Sequence, residues 1–333
     1  MKATRRAAIS SLALAGMGMA GAALAAGSRL ETGEVATALV PGPVKYAVLL
    51  PPGVADTHDL PLLLLLHGGD GDNGFLARMR EPIDAAWAAG ELPPCVVATP
   101  DAQRSLYLDY RDGSQKWESF IVAELIPRLR AVYRLSSARA KTVVSGVSMG
   151  GLGALRLGFK YPDIFGGLAA LEAGIEPALR FEDVKVRNSF QRARPFLEQR
   201  FGSPIDTAFW AANNPANIAI AGRDAIVSSG LSIYLDVGDI DMLHLDEGVE
   251  FLHRVLWDHA MNHEYRLVRG ADHVGRTVPS RLRDGLRFLS QHVLAPPPPD
   301  DSDQAVKRAV EGLKRAAGVD DSQPRPPLPK TSL

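Results

Sequence analysis

The sequence predicts an α/β fold: a mostly parallel central sheet with helices on both faces. Three observations carry that prediction. Short Val/Leu/Ala-rich runs alternate along the chain with longer segments of helical periodicity. One of these runs is five consecutive leucines at 62–66, the pattern of a strand buried on both faces. A β-branched run at 142–144 passes at once into a helix-forming run at 154–157, with Gly146-Val147-Ser148-Met149-Gly150 between them.

Length and composition bound the rest. With 333 residues and 46% apolar content, the chain has room for one large domain plus tails. A net charge of −1 leaves no basic footprint for nucleic acid. The single cysteine, Cys95, excludes an intrachain disulfide and lies in an apolar run, where a buried structural thiol is expected.

Residues 1–26 read as an export signal. A short basic stretch with Arg5 and Arg6 precedes an uncharged Ala/Leu/Gly/Met run, and Ala23-Leu24-Ala25 offers a cleavage site. The paired arginines suggest the twin-arginine type, although Ala8 stands where a large apolar residue is usual. The expected location is periplasmic or extracellular, without stable membrane insertion after cleavage.

The main domain is expected at 35–293. Strands at 44–50 and 62–66 lead into His67-Gly68-Gly69-Asp70-Gly71, where glycines let backbone amides approach a bound group. A helix at 82–89 and a strand at 95–99 follow. The next helix opens at Lys116-Trp117-Glu118, with Phe120, Ile121, Leu125, Leu129 and Val132 at helical spacing. Pro127 kinks it or marks its C-terminal half. After the strand and helix around Ser148 comes a short strand at 167–171. Residues 175–222 break the pattern and read as an inserted, partly helical cap over the substrate pocket. Strands at 231–237 and 264–268 and helices at 247–259 and 278–293 complete the alternation. Residues 296–333 are Pro-rich and expected to be largely disordered, apart from a short basic helix at 305–317.

Gly146-x-Ser148-x-Gly150 between a strand and a helix has a steric logic. A strand that turns directly into a helix strains the turning residue, and only small residues fit two positions either side. Such a turn lifts Ser148 Oγ above a helix N-terminus. A serine hydroxyl becomes a nucleophile when a base takes its proton and an acid orients that base. On an open α/β sheet these groups follow the C-terminal ends of later strands, in the order serine, acid, histidine. Of eight histidines, only His273 follows a late strand directly and precedes the last helix. Asp241 is preferred as the acid, with Asp239 the alternative. Asp236 falls inside a strand, where an unpaired carboxylate would be costly. The backbone amides of Met149 and Gly69 are the expected oxyanion donors. There is no metal-site, P-loop or dinucleotide motif, and the expected chemistry needs no metal or cofactor.

These residues resemble the α/β-hydrolase superfamily, and within it the esterase D-like putative esterase family. That family includes feruloyl and acetyl-xylan esterases, S-formylglutathione hydrolases, siderophore esterases and mycolyltransferases. The resemblance covers about residues 35–293. It rests on Leu65-Leu66-His67-Gly68-Gly69, the Trp117-Glu118 helix start, the 146–154 turn, Gly238-x-x-Asp241 and Gly270-x-x-His273. It implies Ser148, Asp241 and His273 as the catalytic set and Gly69 and Met149 as oxyanion donors. One departure is Val274-Gly275-Arg276, where an acidic residue and an aromatic are common. The expected function is hydrolysis of a small-molecule or polysaccharide-linked carboxylic ester. The rivals are an acyltransferase with the same triad and a non-catalytic binding protein on this scaffold.

Overall fold

The leucines at 62–66 explain the layering. Side chains alternate between the two faces of a strand. Leu62, Leu64 and Leu66 enter one apolar core, and Leu63 and Leu65 the other. In the computed structural model, which describes residues 27–298 and 302–321, this run is the third of eight strands. They are β1 (Arg29–Val35), β2 (Val44–Leu50), β3 (Leu62–Leu66), β4 (Val96–Pro100), β5 (Thr142–Val147), β6 (Gly167–Leu171), β7 (Ser232–Gly238) and β8 (Glu264–Val268). They form one sheet in the order β1-β2-β4-β3-β5-β6-β7-β8. The pairs β1–β2 and β2–β4 are antiparallel, and every pairing from β4 across to β8 is parallel. The C-terminal ends of β3, β5, β6, β7 and β8 therefore share one edge.

The helices are α1 (Phe75–Arg78), α2 (Arg80–Ala88), α3 (Trp117–Phe120), α4 (Ile126–Tyr133), α5 (Met149–Lys160) and α6 (Arg194–Phe201). Then come α7 (Thr207–Ala212), α8 (Pro215–Ala221), α9 (Arg223–Ser229), α10 (Leu245–Asp258), α11 (Val278–Leu289) and α12 (Gln304–Ala317). From α2 and α11, Ile83, Ala86, Leu282 and Leu286 pack on the Leu63 face. From α3, α4, α5 and α10, Phe120, Leu129, Leu155 and Leu252 pack on the Leu62 face. Both faces are covered, as the alternation predicts.

Differences from the sequence reading have local causes. Strand β1 was not anticipated because its charges at Arg29, Glu31 and Glu34 interrupt any apolar run. It is a half-exposed edge strand, the place where charge is tolerated. Gly33 in it lies against the Tyr46 ring, where an added Cβ would stand 2.5 Å from ring carbon. The helix after Lys116 is interrupted: Ile121–Leu125 is a π-helical turn, and Pro127 sits in the first turn of α4. Proline is compatible there because the first-turn amides have no intrahelical acceptor. Val132, counted among the apolar positions, is solvent-exposed at 45%.

Within 175–222 the chain forms two short 3-10 turns and helices α6 to α8, with α9 continuing to Ser229. Asp206 caps α7 by accepting from the Phe209 amide at 2.9 Å, and Asn214 caps α8 by accepting from Ala216 at 2.9 Å. The expected export signal, 1–26, lies outside the described residues, as do 299–301 and 322–333 of the tail. The described part of the tail contains the exposed helix α12.

Candidate active site

Strand β5 delivers Ser148 to the shared edge and α5 begins immediately after it. Ser148 has φ 59° and ψ −114°, a conformation held only by its surroundings. Its amide donates to Leu171 O at 2.8 Å, and its carbonyl accepts from the Leu152 amide at 3.0 Å. The flanking glycines are sterically required. A Cβ on Gly146 would fall 2.3 Å from the Gly150 carbonyl carbon, and one on Gly150 would fall 2.1 Å from Leu66 O. Met149 is the first residue of α5, so its amide lies among those without an intrahelical acceptor.

The loops after β7 and β8 approach closely because Gly238 has no side chain: a Cβ there would meet Ala271 O at 2.1 Å. Across this contact, His273 Nε2 lies 3.1 Å from Ser148 Oγ, and His273 Nδ1 lies 3.0 Å from Asp241 Oδ2. Nδ1 faces carboxylate oxygen, which only accepts, so Nδ1 carries the ring proton and Nε2 is free to accept from Ser148. Asp241 is itself fixed: its Oδ1 accepts from the Leu243 amide at 2.8 Å. Asp272 Oδ1 accepts from the amides of Met242 and His273 at 2.8 and 2.6 Å, tying the two loops together. Asp239 points elsewhere and accepts from the Gly270 amide at 2.6 Å.

Two further residues of the site escaped the sequence reading. Glu172, the residue after β6, is fully buried with φ 49°, and its Oε2 lies 3.2 Å from His273 Nδ1. Its other oxygen contacts the guanidinium of Arg281, a buried residue of α11. Arg281 Nη1 also lies 3.3 Å from Asp236 Oδ1 inside β7. Burial, with Asp284 nearby, pushes the Asp236 carboxyl up to about 7, against the attraction of Arg266. Burial lowers Arg281 to about 10. The sequence held one usable signal, a glutamate ending the apolar run 167–171. Arg281 carried none, being one of several arginines on an amphipathic helix. Glu172, Asp241 and His273 also offer ligand atoms within 4.8 Å of one another, close enough to hold a metal ion. Arg281 already supplies a cation to this group.

The glycine loop after β3 forms the opposite wall. His67 is buried, with Nδ1 2.7 Å from Gly68 O, and its Nε2 accepts from the Ala102 amide at 3.0 Å. Tyr107 OH donates to His67 O at 3.1 Å from beneath. A Cβ built on Gly68 would lie 3.7 Å from Ser148 Cβ, and Gly69 beside it opens onto free space. Ser148, Met149, His273, Gly68 and Gly69 all line one cleft of about 770 Å³. Phe196 and Arg192 enter it from the 175–222 segment. Arg192 is held by Glu176 and by Gly174 O. Four of the remaining histidines serve elsewhere: His253 pairs with His263, His244 packs on Phe190, and His292 packs on Phe288. Cys95 is buried, and burial pushes its thiol up to about 12, well away from nucleophilic use.

Residues 37–277, which include the glycine loop, the elbow and both later strand ends, match the family described as Putative esterase. The chain belongs to this esterase family. Among its relatives, an acetyl esterase of Caldicellulosiruptor saccharolyticus is 33% identical over 120 residues, 36% of this chain and 44% of that one. The chain spans less than half the length of the curated relatives it matches. Two solved structures share the α/β-hydrolase fold with this family member. A ferulic acid esterase superposes with a TM-score of 0.65 at 24% identity, covering 80% of this chain and 99% of that one. An S-formylglutathione hydrolase from Agrobacterium tumefaciens does so with 0.65 at 19% identity, covering 81% and 97%.

Proposed function

We propose that this esterase-family protein is an exported serine hydrolase of carboxylic esters that works through an acyl-enzyme. The observation that carries the reading is the continuous chain Ser148 Oγ, His273 Nε2, His273 Nδ1, Asp241 Oδ2, with links of 3.1 and 3.0 Å at the head of an elbow. Ser148 Oγ attacks the ester carbonyl carbon while its proton passes to His273 Nε2. Asp241 holds the ring and stabilises the imidazolium. The amides of Met149 and Gly69 receive the developing oxyanion. Collapse breaks the bond to the alcohol oxygen, which takes the proton from His273. Water then attacks the acyl-Ser148 carbonyl, passes a proton to His273, and releases the acid as Ser148 recovers its own. None of these steps calls for a metal or organic cofactor.

The substrate is a small-molecule or polysaccharide-linked ester. Acetyl and feruloyl esters are the first to test, since relatives carry those names. Export rests on the reading of residues 1–26. Among the described residues, no helix is long and apolar enough to cross a membrane.

The test is turnover of p-nitrophenyl acetate and methyl ferulate by the wild type and by Ser148→Ala. The reading expects wild-type hydrolysis of at least one ester and a loss on the order of 10⁶ in kcat for the variant. Equal turnover by both proteins, or none by the wild type across an ester panel, would sink it. Repeating the assay with an added sugar alcohol separates hydrolysis from acyl transfer by product.

A further inference from the structure

We infer that Glu172 is a second carboxylate acting on His273, a positioning residue that shares with Asp241 the task of holding the ring and its charge. The inference deepens the proposed function and rests on it. Its basis is geometric. Glu172 Oε2 stands 3.2 Å from His273 Nδ1, against 3.0 Å for Asp241 Oδ2, so two carboxylates from two different strand ends flank Nδ1: Asp241 takes its hydrogen bond, and Glu172 Oε2 stands beside it without one. Both carboxylates are fully withdrawn from solvent, and the histidine side chain is 10% exposed.

A reading in which Glu172 merely partners Arg281 leaves part of this arrangement without a reason. The glutamate divides its oxygens, Oε1 to Arg281 and Oε2 to His273. Its backbone is held at φ 49°, in the left-handed region, by its amide donating to Asp236 O at 2.7 Å. A buried carboxylate is costly unless fully paired, and removing either partner is costlier still. The Arg281 charge offsets that cost from behind, leaving the front oxygen beside the imidazole.

The charges around His273 show what the arrangement does. Asp241 faces the ring from the β7 loop, Glu172 from the end of β6, Ser148 from the elbow, and Asp272 from the turn that carries the histidine. Behind Glu172 stand Arg281 from α11 and Asp236 from β7. With His273 neutral, the pair Glu172 and Arg281 is balanced and Asp241 is the unbalanced anion in direct contact with the ring. With His273 protonated, as in each tetrahedral intermediate, the four groups in the line Asp241, His273, Glu172 and Arg281 balance, with Asp272 and Asp236 outside that line. Glu172 Oε2, at 3.2 Å, is also near enough for the N–H to turn to it when Asp241 no longer accepts.

The experiment combines three variants with pH profiles of kcat/KM on the ester found to be turned over. Asp241→Asn alone is expected to lose about 10²-fold in kcat. The loss should deepen to about 10⁴-fold, the full cost of a missing triad acid, in Asp241→Asn with Glu172→Gln. Glu172→Gln alone should shift the acidic limb of kcat/KM to lower pH, because removing a nearby carboxylate destabilises the imidazolium. Since that variant strands Arg281, Glu172→Gln with Arg281→Met serves as the charge-balanced control and should keep a shift of the same sign. The inference is overturned if Asp241→Asn already loses about 10⁴-fold and the double variant no more. It is also overturned if the balanced variant, folded by its melting curve, returns the acidic limb to the wild-type position. Failure of the underlying reading looks different: Ser148→Ala and His273→Ala would then retain turnover.

Discussion

Asp239 and Asp241 stand two residues apart and have unlike partners. Asp241 faces the imidazole while its other oxygen takes the Leu243 amide, and Asp239 closes the turn to Gly270. Asp241→Asn should therefore cost about 10²-fold in kcat while Asp239→Asn stays within a few-fold, its loss appearing as a lower melting temperature. Steady-state kinetics on both variants decides this, and a crippled Asp239→Asn with an active Asp241→Asn would reverse the assignment. His67 makes a different prediction. Burial depresses its pKa below the ordinary 6.5, since the protonated ring would lose its hydration; protonation would also forfeit the bond from the Ala102 amide. A depressed basic group contributes stability that is complete above 6.5 and is lost as pH falls towards its folded value. Between pH about 7.5 and 5, the wild type should lose more melting temperature than His67→Gln. Parallel losses in the two proteins would refute this role. At this scale Ser148 and His273 were legible because strand ends flag them, and the Asp pair was narrowed by its distance past Gly238. Glu172 and Arg281 were not, because their meaning lies in a contact between β6 and α11 that no spacing along the chain encodes.

At the scale of elements, the elbow is the clearest case of sequence dictating shape. Two glycines at fixed offsets from a serine are legible because the clash they avoid is local. Gly150→Ala would drive a Cβ to within 2.1 Å of Leu66 O, backbone that cannot swing aside. Overpacking of this kind typically costs about 1–3 kcal/mol. Urea unfolding should show a loss of at least that size, and kcat/KM should fall as β3 and the glycine loop separate from Ser148. Unchanged stability and activity would mean the elbow tolerates a side chain. Other elements were harder to read for stated reasons. The charges of β1 hide an edge strand, since an edge needs only one apolar face. The helices between 194 and 229 are each eight residues or fewer, too short for periodicity to register; α6 carries Arg200 inward, and the bend before it carries Arg192, each to bond carbonyls of neighbouring loops. The π-helical turn before Pro127 has no one-dimensional signature.

Across the whole molecule, the sheet order explains why distant segments meet. Parallel pairing from β4 to β8 brings the loops after β3, β5, β6, β7 and β8 to one edge, so Gly69, Ser148 and His273 line a single cleft, with Glu172 and Asp241 buried behind His273. The alternation of strands and helices made that architecture readable, and the order of serine, acid and histidine along the chain follows from it. Specificity was not readable, because the cleft takes Phe196 from the irregular segment and Val274 from the loop that departs from the family pattern. Esters differing in acyl and alcohol size will map that wall. The central claim, however, is covalent: Ser148 carries the acyl group between the two halves of the reaction. Acid-quenching the protein during turnover of p-nitrophenyl acetate and mapping its peptides by mass spectrometry tests this directly. One acetyl group on the peptide holding Ser148, absent from Ser148→Ala, is the predicted result. Continued turnover with the acetyl group on another residue, or with no acylated peptide under single-turnover trapping, would contradict it.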